Sequence, residues 1–253
     1  MLALLRSVLV VLIFLAPPLA RADELVVLLT PRSTPFSALD ENGRLSGFNV
    51  DIANAICREL ARPCSLKALT FPEIIPEIAA GRAHIGIANF LRTPERERLV
   101  AFSVPYWRST SSLIGPPGVV VDDLAVLIAH NPVCAISDSL QMRFLQEHAG
   151  ANAGRLQALA SNQAVLDALV AGTCRVALMP TMQALPFLQS QVGAGFGFLA
   201  QPRMDRGLGG DVLIALTQGD KALKEGVDRA IARLIDSGEH ERITRKYFPF
   251  SIL

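Results

Sequence analysis

The sequence predicts an α/β protein made of two βα-rich lobes, the first assembled from both ends of the chain and the second from its middle. Three observations carry this. Continuous apolar runs at 25–29, 85–88 and 176–179 read as buried strands of parallel sheets. Stretches with apolar residues at helical spacing stand between them, the alternation expected of βαβ units. A late apolar run, 211–216, is placed to bring the chain back to the first lobe before a closing amphipathic helix.

Taken in order, 25–29 is a strand whose carboxyl end opens into the loop 31–35, and in α/β sheets that end is the binding edge. Asp40-Glu41-Asn42-Gly43 is a turn signal between 36–39 and 45–48, which predicts a small hairpin. Ile52, Ala53, Ile56 and Leu60 share a helical face, and Pro63 stops that helix. Residues 65–70 form a second strand. Phe71-Pro72 then starts a helix through Ile74, Ile75 and Ile78 that ends at Gly81. After the strand at 85, residues 108–114 leave the first lobe and Pro116-Pro117-Gly118 breaks the pattern. The second lobe reads as a strand at 132–137, a helix 140–148 capped by Asp138 or Ser139, a loop 150–154, a short strand 156–159, and a helix capped by Ser161 and ended by Gly172. Next come the strand 176–179, a helix 181–189 interrupted at Pro186, and a flexible Gly193–Gly197 segment. Residues 221–235 form an amphipathic helix with Leu223, Val227, Ile231, Leu234 and Ile235 inward, and 239–247 form the last one.

The stretch 85–107 is the centre of the functional reading. A strand ends in a polar turn at Asn89 and meets Thr93-Pro94-Glu95-Arg96, where Thr93 suits a helix cap and Pro94 the first helical position. A helix N-terminus offers unpaired N–H groups and partial positive charge, and Arg96 adds a full one, so an anionic group of a ligand is expected there. On composition alone, Arg92, Arg96 and Arg98 could equally be solvated arginines of a surface turn.

Residues 1–22 have the form of a cleaved secretory signal: Arg6, an apolar run at 8–16 too short to span a bilayer comfortably, and Ala20-Arg21-Ala22 before Asp23. Its removal takes Arg6 and Arg21 from 24 basic residues and leaves 22 against 23 acidic ones, a net charge of −1. No basic stripe with interleaved aromatics occurs, so nucleic acid is not an expected partner. Four cysteines in a secreted chain favour disulfides, and three connectivities are possible. Cys57 and Cys64 flank a turn short enough to fold back. Cys134 and Cys174 each head an apolar strand and can pair only if those strands are neighbours. With no C-x-x-C motif, and with His84, His130, His148 and His240 scattered and expected at the surface or in turns, no metal site and no cofactor is expected.

Three segments carry a resemblance. Thr93-Pro94-Glu95-Arg96 followed by Phe102-Ser103-Val104-Pro105-Tyr106, the opening 35–57 and the closing 236–250 resemble, in the same order, the solute-binding proteins of polar amino-acid ABC transporters, bacterial extracellular solute-binding protein family 3. The resemblance implies the type II periplasmic-binding-protein-like fold: lobe 1 from 23–112 and 208–253, lobe 2 from 113–207, a two-strand hinge and a ligand cleft between lobes. Some members carry a local bridge like 57–64, and we favour 57–64 with 134–174. The resemblance also implies a periplasmic, monomeric protein that binds a small carboxylate and delivers it to an ABC permease.

Site residues follow by the same resemblance. Arg96 clamps the ligand carboxylate through its planar fork, and Thr93 is expected among the ligand-binding residues. Asn89 receives the ligand or simply forms the turn. Phe71 packs on the ligand or belongs to the core. Ser139 holds the carboxylate or only caps its helix. Two positions depart from the family pattern: Leu91 stands where Ser or Thr is usual, and Ser33 lies near the usual aromatic of the first loop. A third, Pro180, replaces the usual acid that binds an α-ammonium, unless Asp205 or Asp211 supplies that charge. A buried ammonium without an acidic partner is costly, so a carboxylate lacking the amine, or a ligand bound through other groups, fits better than an ordinary α-amino acid. Two other functions stay open. One is an accessory role with an eroded site beside a periplasmic quinoprotein alcohol dehydrogenase. The other is a dehydratase-type enzyme using Asp51, Glu73 or Glu77, although these form no paired constellation, so the chain is read as a non-enzyme.

Overall fold

The computed structural model describes residues 23–201 and 203–253; the expected signal lies outside the described residues. The first lobe opens with β1 (Leu25–Leu29), then β2 (Arg32–Ser33), β3 (Ser37–Leu39) and β4 (Leu45–Ser46), a small antiparallel sheet turned at 40–43 as the sequence predicts. Helix α1 (Phe48–Glu59), β5 (Cys64–Ala68), α2 (Phe71–Ala79), β6 (Ile85–Leu91), α3 (Pro94–Glu97), β7 (Ala101–Phe102) and β8 (Trp107–Ser109) follow. The second lobe holds β9 (Ser111–Gly115), α4 (Leu124–His130), β10 (Val133–Ile136), α5 (Leu140–Ala149), β11 (Leu156–Leu159), α6 (Asn162–Val170), β12 (Val176–Pro180), α7 (Thr181–Leu188) and β13 (Gly197–Phe198). Strand β14 (Gly210–Leu216) returns to the first sheet and is followed by α8 (Lys221–Asp236) and α9 (Glu239–Thr244).

The first sheet has the order β5-β1-β6-β14-β7, with β8 also on β14; the second is β11-β10-β12-β9-β13. Strands β5, β1 and β6 run parallel, and β14 runs antiparallel to β6. Two segments join the lobes. Ser109 pairs with Gly210 in the first sheet, and Ser111 exchanges both backbone hydrogen bonds with Arg203 (2.9 and 2.7 Å), so the crossings run side by side. This is the two-lobed α/β architecture the sequence predicts.

Local chemistry explains the elements. Gly47, which precedes α1, has φ 126°, and a Cβ there would sit 2.5 Å from the Phe36 carbonyl oxygen; glycine alone lets the hairpin lie on the helix start. In β6, a Cβ on Gly86 would meet Ile74 at 2.6 Å and Ile78 at 2.7 Å, so the missing side chain is what seats α2 on the sheet. Strands β10 and β12 are parallel neighbours, which lets Cys134 bond Cys174; Cys57 bonds Cys64 across the turn after α1. The first closes a loop of separation 40 and the second one of 7, so the first removes more freedom from the unfolded chain.

Several expectations are corrected. Helix α4 goes unread in the sequence because its apolar run is continuous and carries no helical period; Asp123 caps it, accepting from Val126 N at 3.0 Å. Helix α7 passes through Pro186 unbroken, since proline's φ is helical and only one N–H is lost. The Gly193–Gly197 segment ends in an edge strand on β9. The last helix stops at Thr244, and Ile235 is exposed, about 120° round the helix from Leu223.

His240 is corrected most. It is 1% exposed, donates from Nε2 to the Tyr106 carbonyl at 2.7 Å, and lies edge-on to Phe48 with centroids 5.8 Å apart. Thr244 Oγ1 stands 3.4 Å from Nδ1. Burial lowers its pKa below the ordinary histidine value of 6.5. The unfolded chain therefore takes the proton first, and the contribution to stability, full above about pH 6.5, is lost as pH falls through that value. His240→Gln, which keeps an N–H donor without titrating, is expected to narrow its stability deficit against the parent between pH 7.5 and 5.5 in urea titrations. A deficit constant with pH would remove His240 as the titrating group.

Candidate ligand-binding cleft

The carboxyl ends of β1 and β6 face those of β10 and β12 across a narrow cavity with about 50 Å³ open to the centres of water-sized molecules. Its wall includes Thr70, Ser139, Ser161 and Pro180. These are the N-cap residues of α2, α5, α6 and α7. Four helix N-termini thus meet at one place, each presenting positive partial charge. Two arginines, Arg32 and Arg96, lie on the wall, and no Asp or Glu does. Arg32 is paired with Asp167 at 3.5 Å, so the positive charge the wall offers an anion is that of Arg96.

Arg96 is held from every side. Thr93 caps α3 by accepting from Arg96 N at 3.2 Å, and Pro94 sets the first turn. The guanidinium carbon lies 5.5 Å from the ring centroids of both Phe71 and Phe90. Nη1 donates to the Leu91 carbonyl at 2.8 Å, and Nη2 donates across the cleft to the Asp138 carbonyl at 3.0 Å. Asp138 has φ +56°, a left-handed turn that aims this carbonyl at the first lobe. Three of the five guanidinium N–H bonds remain for a ligand. Desolvation lowers the Arg96 pKa to about 10, so the group stays cationic at neutral pH.

The structure brings Arg96, Asn89, Phe71, Ser139, Ser33 and Leu91 onto one wall, whereas Thr93 lies behind it and acts through Arg96. The Ser139 hydroxyl donates to the Ile136 carbonyl (2.6 Å) and accepts from Met142 N (3.1 Å), as a cap does. Asn89 has φ +61°. Its Oδ1 accepts from Asn49 Nδ2 at 3.0 Å and lies 3.2 Å from the Tyr106 hydroxyl, which also meets Asn49 Oδ1 at 3.0 Å. Its carbonyl oxygen therefore serves the interior, and burial keeps the Tyr106 phenol protonated.

Neither Asp205 nor Asp211 replaces the missing acid: Asp205 pairs with Arg203 and Asp211 with Arg108, both away from the cavity wall. The three carboxylates weighed for catalysis have structural partners. Glu73 completes the capping box with Thr70, Glu77 pairs with Arg82, and Asp51 meets Lys246 and Tyr247. Sequence reasoning missed Asn162 and Gln183 on the wall; the signal was present, because Asn162 follows the Ser161 cap and Gln183 is one turn beyond Pro180. Both amides donate to Ser33 Oγ, at 3.0 and 2.5 Å, and so bridge the lobes. Glu95 and Arg143 add a cross-cleft ion pair at 2.9 Å.

Two sheets joined by paired crossings, with an arginine and four helix N-termini around the gap, define a two-lobed solute-binding protein. The sequence profile of the bacterial extracellular solute-binding proteins, family 3, matches residues 25–250, and the chain belongs to that family. It is 27% identical over 220 residues to the lysine/arginine/ornithine-binding periplasmic protein of Escherichia coli K12, covering 86% of this chain and 85% of the relative. It is also 27% identical to the L-arginine-binding protein of Pseudomonas aeruginosa, covering 86% and 85%. An ancestral arginine-binding protein solved with arginine superposes with a TM-score of 0.82 at 24% identity, over 90% of this chain and 99% of that one, a likeness of fold. These relatives lend no support to the accessory role beside an alcohol dehydrogenase.

Asn89→Ala removes the acceptor shared by two buried donors and places a Cβ residue without a compensating side chain at positive φ. It is expected to destabilise the protein by about 2–4 kcal/mol in urea unfolding. A variant as stable as the parent would show that Asn49 and Tyr106 do not depend on that oxygen.

Proposed function

We propose that this chain is the periplasmic component that captures a small, carboxylate-bearing, amino-acid-like solute between its lobes and delivers it to an ABC permease. The observation that carries the reading is Arg96: a cation on the cavity wall, three N–H bonds free, beside four helix N-termini and no carboxylate. The relatives' periplasmic location and the expected signal at 1–22 support the compartment. Arg96 touches both lobes, so a carboxylate bound there favours closure, and the closed form is what a permease can distinguish from the open one.

The test is a thermal-shift screen of the chain from Asp23 onward against amino, hydroxy and keto acids, dicarboxylates and amines. A ligand present at a hundred times its dissociation constant adds about 2.7 kcal/mol of stability. Carboxylates are expected to shift the melting temperature and amines to leave it in place. Arg96→Ala is expected to weaken the best acid by about 100-fold, in keeping with a charge-assisted pair in a partly dry cleft. No shift across the panel, or equal binding by Arg96→Ala, would overturn the proposal.

A further inference from the structure

Two residues of the cleft wall each carry a buried oxygen with no hydrogen-bond partner: Asn162 Oδ1 and Gln183 Oε1. Asn162 is 7% exposed and Gln183 4%, and a buried carbonyl left unsatisfied is costly. Both residues hold the same atom. Their amide nitrogens converge on Ser33 Oγ, which is itself on the wall and 4% exposed. Exchanging N and O of one amide lets Ser33 donate to that oxygen and leaves one open carbonyl and one open amide NH2, a cluster that still holds both an acceptor and a donor. At least one open carbonyl therefore remains. As drawn, with both nitrogens donating to Oγ, the Ser33 O–H also remains to be donated. The cluster offers acceptors and a donor and carries no charge.

The surroundings decide what fits. An ammonium would enter a wall that holds Arg96, no carboxylate and four helix N-termini, with Arg32 already paired to Asp167 at 3.5 Å. It would lose its hydration with no counter-charge to replace it. A hydroxyl donates one proton to an open carbonyl and accepts from Ser33, at no cost in buried charge. We propose that Ser33, Asn162 and Gln183 form a neutral-donor subsite and that the ligand is a hydroxy acid, its carboxylate on Arg96 and its hydroxyl on this cluster. The inference rests on the carboxylate-capture reading above and names the ligand class for the same cleft. Cationic amino acids are the class the wall opposes most.

Calorimetric titration of the chain from Asp23 onward with matched acids tests it. Each set shares one carbon skeleton and carries hydroxyl, ammonium, oxo or hydrogen at carbon 2 or carbon 3. The hydroxy acid is expected to bind about tenfold or more tighter than the acid with hydrogen there, and tighter than the amino acid. Gln183→Met and Asn162→Leu are expected to shrink the hydroxyl-over-hydrogen preference to about twofold. Pro180→Asp, which returns a carboxylate to the wall without touching the cluster, is expected to shift the preference toward the amino acid. If the parent binds the amino acid more tightly than its hydroxy analogue while Arg96→Ala abolishes both, the subsite proposal falls and the carboxylate-capture function stands. An unchanged hydroxyl preference in both cluster variants also overturns the subsite. If no acid of any set binds, both proposals fall.

Discussion

The structure depends on the placement of β14, an antiparallel strand beside β6 in an otherwise parallel neighbourhood. Its backbone completes the first sheet with a segment that arrives from the second lobe. The outgoing crossing at 109–111 therefore has the incoming one at 203–210 as its hydrogen-bonded neighbour. Two adjacent crossings let the lobes rotate about one line while keeping the sheets' carboxyl ends opposed. The buried face of β14 is apolar throughout, from Val212 to Leu216, so the return strand is also core. A chain that returned elsewhere would leave β6 with an open edge and the lobes without a shared hinge.

The cleft follows from that opposition. In a βαβ unit the helix starts where the strand ends, so opposing strand ends bring helix N-termini together. Thr70, Ser139, Ser161 and Pro180 cap four such helices on one cavity wall. The resulting field is positive before any side chain is counted, and Arg96 concentrates it. Its guanidinium, 5.5 Å from each of two adjacent phenylalanine rings and bonded to a carbonyl of each lobe, is held in place before a ligand binds. The polar contacts across the cleft include Arg96 to Asp138, Glu95 to Arg143, Arg32 to Asp167, and the two amides on Ser33. A closure maintained by such bonds is one that a ligand of modest affinity can bias.

Burial of single polar groups was the least legible feature. His240 reads as an ordinary residue of a closing helix, yet it sits in the core because Tyr106 turns a backbone carbonyl inward and needs a donor. Asn89 reads equally as a turn residue or a ligand contact. Its left-handed φ and its two interior partners belong to the first reading, while its place on the cavity wall belongs to the second. Nothing within a few residues of either position carries this information, because their partners are more than a dozen residues away in the chain.

By itself the sequence determined the alternation of strands and helices, the hairpin at 40–43, the caps at Thr93 and Ser161, and the cation at Arg96. Each of these is written in local chemistry: apolar period, turn residues, and a hydroxyl before a helix. The motif around 93–106 further placed the chain in its family. Only the tertiary structure decided that β10 and β12 are neighbours, so that Cys134 meets Cys174. Only it showed that Asp205 and Asp211 turn to arginines outside the cleft, and that Asn162, Gln183 and Ser33 share a wall. Apart from Asp205, whose arginine is two residues away, these are meetings between residues 40 to 150 positions apart. They are set by which strands pair and how the lobes oppose, and no local pattern encodes that.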